Sequence, residues 1–177
     1  DEIFEFSAED QFDYSHVMLA NGSSWRRNGL GRIHREPIPG LDKLKVFTPD
    51  DIMDGVIVKG RVVVFDDDHF YMGGVLAEKL RREGHDVLLV TPAPDISTWT
   101  HKTLEQRKIQ KQLMDLGVEL ATQTALTAAE TGKVELSCIF TERKIERECD
   151  SLLLVTERIP NDGLFNSLNG DPERLTN

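Results

Sequence analysis

Cysteine is scarce in this chain, and the cysteines present do not have the spacing of a metal site or a disulfide framework. Cys138 and Cys149 are the only two among 177 residues, and they are not in CxxC spacing. Two cysteines are too few for a disulfide scaffold, which fits a reducing compartment such as the cytoplasm. No metal site is predicted from them.

Long apolar runs and an excess of positive charge are also missing. No stretch approaches the roughly 20 apolar residues of a membrane span, and the acidic N-terminus is unlike a signal peptide. The 31 acidic side chains outnumber the 21 basic ones, which gives a net charge of −10. This charge argues against nucleic acid or an anionic membrane surface as a partner. We predict a cytoplasmic α/β protein of one medium domain, or one and a fraction.

Glycine is missing from a loop that would need it to bind phosphate. Residues 62–90 run strand, acidic loop, helix, strand, which is the order of a dinucleotide-binding βαβ unit. Counted back from Ala77 inside the helix, the three glycines of G-x-G-x-x-G fall on Asp68, Phe70 and Gly73. Only the third is a glycine, and its role is to let helix and strand pack closely.

Asp68 and Phe70 are predicted to keep a phosphate out of this loop. A carboxylate at Asp68 suits the positive end of a helix but repels a phosphate bound there, and Phe70 would block the approach sterically. The second strand ends in Thr91-Pro92-Ala93-Pro94, without an acidic residue for a ribose hydroxyl or an arginine for a 2′-phosphate. We therefore predict that this loop does not bind NAD(P) in the usual way.

Two other clusters contain side chains that can bind ligands. Asp66, Asp67, Asp68 and His69 offer three carboxylates and an imidazole, which are plausible ligands for a divalent metal. Consecutive residues at a strand end point in alternating directions, so helix capping and hydrogen bonding are the favoured interpretation. Trp25-Arg26-Arg27 could clamp a nucleotide. A connector that packs its tryptophan on the sheet is favoured instead.

The first part of the chain is predicted to belong to a neighbouring domain. A short strand over Val17–Ala20 stops at the turn-forming Asn21-Gly22-Ser23. A connector rich in glycine and proline follows. A short helix then begins with Thr48 as N-cap and Pro49 at the first helical position.

Further helices and strands are predicted downstream of the loop. The first helix ends at Gly84, and a second runs from about His101 to Leu116. A third strand over residues 118–120 extends the sheet, an antiparallel excursion follows, and a buried strand covers Asp150–Val155. The polar tail after Gly163 is predicted to fray. The predicted inward residues are Met72, Val75, Leu76 and Leu80 in the first helix, Leu104, Ile109, Leu113 and Leu116 in the second, and Val134, Leu136, Cys138 and Phe140 in the excursion.

Several segments of the chain resemble one family of flavoproteins. Ala20-Asn21-Gly22 resembles the A-T-G turn of reductases with two dinucleotide domains, and residues 156–161 resemble their T-G-R-x-P-N segment. From about Asp13 to Leu168 the chain resembles the C-terminal half of the trimethylamine dehydrogenase and histamine dehydrogenase family. The segments that carry this resemblance are Trp25-Arg26-Arg27-Asn28-Gly29-Leu30-Gly31, Pro37-Ile38-Pro39-Gly40, residues 65–74 and residues 99–105.

The resemblance implies a Rossmann-like FAD/NAD(P)-binding fold in which one nucleotide domain is nested in another. Residues 1–57 would be part of the larger FAD/ADP-type domain and a connector. Residues 58–149 would form the nested NAD(P)-type domain, with a parallel sheet and the antiparallel excursion. Residues 150–177 would be a return strand into the larger domain and a polar tail. The residues that would approach ADP or flavin in the larger domain are Ala20, Asn21, Gly22 and Ser23.

The resemblance also implies a larger parent enzyme of the old yellow enzyme superfamily. An N-terminal barrel would carry FMN and a [4Fe-4S] cluster and would oxidise a methylated or primary amine. Electrons would pass to an electron-transferring flavoprotein or a similar acceptor, ADP would occupy the larger nucleotide fold, and the parent would be a homodimer. The chain lacks the barrel and the cluster cysteines, so we expect an excised fragment that is inactive alone.

Two alternatives remain open at the level of the sequence. The domain could be a working NAD(P)H-binding domain from a dienoyl-CoA-reductase-like NADH:flavin oxidoreductase with an unusual acidic loop. It could also be a docking module for an electron-transfer partner, whose acidic surface steers the encounter.

Overall fold

Apolar strands that are buried along nearly their whole length form the centre of this α/β protein. The computed structural model describes residues 18–169. The strands are β1 (Ser23–Trp25), β2 (Lys45–Phe47), β3 (Arg61–Asp66), β4 (Asp86–Val90), β5 (Glu119–Ala121), β6 (Thr124–Glu130), β7 (Lys133–Cys138), β8 (Lys144–Glu148), β9 (Ser151–Val155) and β10 (Arg158–Pro160). The α-helices are α1 (Pro49–Met53), α2 (Met72–Arg82), α3 (Gln106–Asp115) and α4 (Gly163–Asn169). Short 3₁₀ turns cover Leu41–Lys43 and Thr98–Thr103.

The chain forms two compact units. One unit is Trp25–Glu157, and the described parts of the other are residues 18–24 and 158–169. In the smaller unit, β1 and β10 pair as a two-stranded sheet. In the larger unit, a five-stranded sheet has the order β2-β9-β3-β4-β5 and a three-stranded sheet has the order β6-β7-β8. The predicted α/β class with a parallel sheet is confirmed, because every pairing in the five-stranded sheet is parallel.

Both faces of the parallel sheet are covered, which explains why its central strands are apolar without alternation. On one face, Val62 and Val64 of β3 pack with α2 and α3 through Leu76, Leu80 and Leu113. On the other face, the second core cluster joins the sheet to the antiparallel strands. Its sheet residues include Val63, Phe65 and Leu154, and the antiparallel strands contribute Leu126, Val134 and Leu136.

Helix α2 presents a narrower apolar face than the sequence predicted. Leu76 and Leu80 are buried and Met72 is partly buried against the core, as predicted. Val75 was predicted to face inward but is 55% exposed. The close approach of the helix to the sheet is made instead by its small residues, since Gly73 and Ala77 are buried. Gly84, with φ +93°, follows the helix where its end was predicted.

The second helix starts later than predicted. Residues 98–103 form a 3₁₀ turn, and α3 begins only at Gln106. Between them Leu104 has a left-handed backbone (φ +63°) and is 92% exposed, so its prediction as an inward residue is wrong. Ile109, Leu113 and Leu116 do pack on the core, as predicted. In the sequence, apolar residues at helical spacing begin at Leu104, but the left-handed backbone of Leu104 makes a turn and the helix begins only after it.

The antiparallel excursion is confirmed as the sheet of β6, β7 and β8. Val134 and Leu136 of β7 are buried, whereas Cys138 at its end is half-buried. Phe140 lies past the end of the strand and is exposed, which contradicts its predicted inward position. The alternation of apolar residues in the sequence therefore continues past the end of β7, into the turn that follows the strand.

Helix α1 begins as its sequence predicts. Pro49 is the first helical residue and Thr48 is the N-cap. The Thr48 N–H donates to Asp51 Oδ2 at 2.7 Å, and the two side chains complete a capping box.

Strand β9 differs from its predicted place. The sequence assigned residues 150–177 to a return strand of a larger domain, but β9 pairs with both β2 and β3 inside the five-stranded sheet. Leu152, Leu153 and Leu154 are buried there because both faces of the sheet are covered. A strand this apolar is stable only in the middle of such a sheet.

The two ends of the described chain also differ from expectation. Residues 18–20 are not in a strand, and the first strand begins at Ser23; Val17 lies outside the described residues. Residues 163–169 of the predicted frayed tail form α4, and residues 170–177 lie outside the described residues. Within residues 18–169, no helix is both long enough and apolar enough to cross a membrane.

Candidate functional site

The candidate site is the loop between β3 and α2. It lies at the carboxyl end of the central strand, which is the edge where open α/β sheets bind ligands. Asp66 is the last residue of β3, and α2 begins at Met72. The loop is tied to the next strand of the sheet, since the N–H groups of Asp67 and Asp68 both donate to the Val155 carbonyl, at 2.9 and 3.1 Å.

Asp66 is the carboxylate at the centre of this loop. Its side chain is fully buried, and its Oδ1 accepts the N–H groups of Asp68 at 3.1 Å and His69 at 3.0 Å. Burial raises the pKa of Asp66 to about 7, against the opposing effect of the His69 and Asp68 hydrogen bonds. The carboxyl group thus accepts hydrogen bonds from loop N–H groups of the kind that, in a phosphate-binding loop, donate to the ligand.

Gly73 is required by the same carboxyl group. A Cβ at this position would lie 2.5 Å from Cγ of Asp66, which is closer than two non-bonded carbon atoms can approach. The predicted role of Gly73 in close packing is therefore supported, but the group that it packs against is a side chain of the loop's own strand. A bulkier residue here would push α2 away from β3.

Asp67 holds a second segment against the loop. Its Oδ2 accepts the N–H of Arg32 in a short hydrogen bond and the N–H of Ile33 at 2.9 Å. Its Oδ1 lies 3.3 Å from Nε2 of His69. Asp67 is as buried as Asp66, and a Cβ at Gly31 would overlap its Oδ2. The connector before β2 therefore runs in direct contact with the loop.

The positions that the sequence singled out have different surroundings. Asp68 is half-buried and gives its N–H to Asp66. Phe70 is 38% exposed and packs edge-on against Tyr71, with ring centroids 4.4 Å apart. The sequence pattern did not distinguish Asp66 from its acidic neighbours. A signal was available, because an aspartate that ends a run of buried strand residues must be compensated locally.

The motif residues Ala20, Asn21, Gly22 and Ser23 lie in the smaller unit and are exposed. The Gly22 carbonyl accepts the N–H of Asn161 at 3.0 Å, and the Asn21 carbonyl accepts Nδ2 of the same residue at 3.0 Å. Gly22 has φ +70°, a left-handed conformation that favours glycine. The structure thus brings together the two short segments that resemble flavoprotein reductases.

Comparison with known proteins identifies the family. The family model described as "OYE-like second alpha/beta domain" matches residues 47–153. The chain belongs to this family. Its homologues place it in the trimethylamine dehydrogenase family of OYE-like flavoproteins.

Three relatives have names that describe enzymes acting on amines. Dimethylamine dehydrogenase from Hyphomicrobium sp. (strain x) is 32% identical over 179 residues, covering 89% of this chain and 24% of that protein. The structure of histamine dehydrogenase from Rhizobium sp. 4-9 matches with 43% identity and a TM-score of 0.83, over 88% of this chain and 25% of that one. The structure of 6-hydroxypseudooxynicotine amine oxidase from Pseudomonas geniculata N1 matches with 39% identity and a TM-score of 0.86, over 90% and 24%. The chain therefore spans about a quarter of the length of these relatives.

The OYE-like second α/β domain contains the acidic loop but not the exposed turn at Ala20–Ser23, which precedes the matched residues. Within the described residues, no group of three or more His, Cys, Asp or Glu side chains is arranged to hold a metal ion. Asp66 and Asp67 instead each accept backbone N–H groups through one oxygen, and His69 lies beside the other oxygen of Asp67. The interpretation of the cluster as hydrogen-bonding residues is the one that its contacts support.

A cavity of about 170 Å³ lies between α2 and α3, next to the loop. Val75 and Ile109 contribute apolar walls, and Tyr71 and Glu105 line it as well. The Tyr71 hydroxyl forms a short hydrogen bond with Glu105 and lies 2.9 Å from the Thr103 hydroxyl. The cavity is thus closed on one side by an interaction between the loop end and the segment before α3.

Proposed function

We propose that the chain is part of a flavin- and iron–sulfur-dependent amine dehydrogenase or demethylase, in which this domain keeps a nucleotide-binding fold but no longer binds a dinucleotide phosphate. The names of the relatives support oxidation of an amine by the parent. The order β3-α2-β4 with parallel pairing supports a Rossmann-like origin of the domain. On this proposal residues 58–149, together with β2 and β9 of the same sheet, belong to the nested NAD(P)-type domain, and the residues before β2 and after β9 include parts of the larger one.

The observation that carries the proposal is the position of the Asp66 carboxyl group. A dinucleotide pyrophosphate binds to N–H groups at the start of the helix after the first strand. Here Asp66 accepts the Asp68 and His69 N–H groups from inside the protein. A phosphate would have to displace that carboxyl group and would meet its negative charge whenever Asp66 is ionised.

The cofactors of the parent are proposed to lie outside this chain or at its edge. Cys138 is half-buried and Cys149 is buried, and each is a free thiol. Burial raises the pKa of Cys149 to about 11, which disfavours the thiolate that a cluster needs. FMN and the [4Fe-4S] cluster are therefore assigned to the remainder of the parent. The exposed Ala20–Ser23 turn, with left-handed Gly22, is the part of this chain proposed to approach ADP in the larger domain.

The proposed route of the electrons follows from a domain that does not bind NAD(P)H. Electrons from the oxidised amine would leave the parent through an electron-transferring flavoprotein or a similar acceptor. The parent is proposed to be a cytoplasmic homodimer, and this chain alone is proposed to be inactive, because the residues that contact the amine would belong to the barrel.

Calorimetric titration of the chain with NADH, NADPH and ADP tests the proposal. Circular dichroism first establishes that the chain is folded. We expect no heat of binding from NADH or NADPH, because the loop N–H groups are already occupied. Binding of NADH or NADPH with Kd of tens of micromolar or tighter would overturn the proposal and favour the NAD(P)H domain of a dienoyl-CoA-reductase-like enzyme. Specific binding of an electron-transfer flavoprotein without any nucleotide would favour the docking module.

A further inference from the structure

The connector between β1 and β2 crosses the edge of the sheet where a nucleotide would bind. Asp67, which directly follows β3, accepts the N–H groups of Arg32 and Ile33. These are consecutive backbone donors, so one carboxylate oxygen holds two successive peptide groups of the connector. Gly31 lies so close to this carboxylate that a Cβ would overlap Oδ2 and would be 3.2 Å from Cβ of Thr156. The connector is therefore packed against the ends of both β3 and β9.

A second contact continues the connector across the loop. The Arg32 guanidinium carbon lies 4.1 Å from the centroid of the Trp99 ring, a cation–π arrangement. The backbone N–H of Trp99 donates to the His69 carbonyl at 3.0 Å, and His69 has a left-handed backbone with φ +67°. Three segments thus meet at this edge: the connector, the acidic loop, and the turn after β4.

We propose that residues 31–34 are an intramolecular occupant of the former nucleotide site, and that Asp67 is the residue that keeps them there. The proposal rests on the proposed function and extends it. Asp66 occupies the phosphate-binding N–H groups, and the connector held by Asp67 covers the edge beyond them. The two carboxylates act on different donors, so they exclude a dinucleotide independently. Removing either one alone leaves the other obstacle in place.

The contact between Asp67 and the connector is tested by hydrogen exchange of single backbone amides. In the Asp67→Ala variant we expect the Arg32 and Ile33 amides to exchange roughly tenfold or more faster, because hydrogen bonds to a charged acceptor are among the stronger ones. The Val63 and Val64 amides in the core strand report on global stability and should change less. Acrylamide quenching of Trp99 fluorescence should rise as Arg32 leaves its ring, while Trp25 stays buried.

Asp150→Ala is the matched control for that experiment. The Asp150 carboxylate accepts the Arg61 N–H at 2.8 Å and also lies against a glycine, Gly60, but at the amino end of the sheet. This variant should accelerate exchange at Arg61 and leave Arg32 and Ile33 unchanged. If Asp67→Ala leaves the Arg32 and Ile33 amides as protected as before, Asp67 does not hold the connector and the proposal is overturned.

Nucleotide binding tests the two obstacles separately. Calorimetry with NADH and ADP compares the unaltered chain, Asp66→Gly, Asp67→Ala and the double variant. We expect the double variant to bind about tenfold more tightly than Asp66→Gly. Equal binding by Asp66→Gly and the double variant, or no binding by a folded double variant, would overturn the proposal. NADH binding by the unaltered chain would instead overturn the proposed function, and the exchange experiment does not depend on that result. If the double variant does not fold, the exchange experiment decides.

Discussion

Asp66 ends an apolar strand in a fully buried position, where a charged carboxylate is costly unless hydrogen bonds compensate it. The Asp68 and His69 N–H groups provide part of that compensation, and the raised pKa shows that burial outweighs it. Asp67, one residue further on, is equally buried but faces the connector. Two adjacent carboxylates therefore fix two different segments, because successive residues at a strand end point in opposite directions.

The stability of the chain should depend on pH through Asp66. The folded-state pKa of about 7 lies above the ordinary value of 3.8, so the folded protein binds this proton more tightly than the unfolded chain does. The contribution of Asp66 to stability is therefore greatest at low pH, falls as the pH rises from about 4 to about 7, and is constant above pH 7. Between pH 5 and pH 8 this loss is about 2–3 kcal/mol, from 1.36 kcal/mol per pKa unit.

Asp66→Asn should remove this dependence, because the amide keeps an acceptor for the loop N–H groups and does not titrate. Urea unfolding of the two proteins at pH 5 and pH 8 measures the difference. Between pH 5 and pH 8, the free energy of unfolding of the unaltered chain should fall by about 2–3 kcal/mol more than that of the Asn variant. Parallel pH profiles would mean that Asp66 is ionised throughout this range.

At the level of elements, α2 shows how far periodicity predicts packing. The sequence predicted its position, its C-terminal glycine and the burial of Leu76 and Leu80, because apolar residues at helical spacing indicate a buried face. It placed Val75 on that face as well. In the structure Gly73 and Gly74 bring the start of the helix close to the Asp66 carboxyl group and to Ser97, and Val75 turns toward solvent.

Truncation of two α2 residues should separate the true core face from the predicted one. Leu80→Ala should lower the free energy of unfolding by about 2–5 kcal/mol, because Leu80 is 1% exposed and its removal leaves a cavity. Val75→Ala, the matched control on the same helix, should change it by only about 0.5 kcal/mol, since a surface substitution of this kind loses little. Chemical denaturation measures both. A comparable loss from the two variants would place Val75 in the core after all.

At the level of the whole molecule, the chain combines the fold of a known family with a net negative charge. Residues 47–153 match the OYE-like second α/β domain, and the relatives with dehydrogenase names share 32–43% identity with the chain. The net charge of −10 is spread over a chain that holds many of its charges in surface ion pairs, such as those of Lys79 and Lys111 with residues one helical turn away. Such pairs contribute little to stability.

If the proposed function is right, the intact parent accepts electrons from an amine but not from a nicotinamide nucleotide. Anaerobic mixing of the parent with NADH or NADPH should leave the visible absorption of its flavin unchanged, because Asp66 and the connector occupy the nucleotide edge of this domain. A methylated or primary amine from a substrate panel should bleach it, and dithionite confirms that the flavin can be reduced. Bleaching by NADH within the turnover time would contradict the proposed electron route.

The local structure of this protein follows from residues that are neighbours in the sequence. The apolar run before the acidic loop, the capping box at Thr48, the glycine after α2 and the alternation in β7 each depend on neighbours within a few residues, and the structure contains the corresponding strand, helix start, helix end and hairpin. The resemblance of its motifs to flavoprotein dehydrogenases likewise lay in the residues themselves.

Contacts between residues far apart in the sequence depend on how the strands and their connections pack. Strand β9 lies between β2 and β3, although β3 ends at Asp66 and β9 begins only at Ser151, because that position covers the apolar side chains on both faces of the strand. Asp66 rather than Asp68 became the central carboxylate, and Asp67 met the connector from 34 residues away. Hydrogen bonds between distant segments, and the burial of apolar side chains where those segments meet, set these positions. Their stabilising free energy arises only when the segments are packed together.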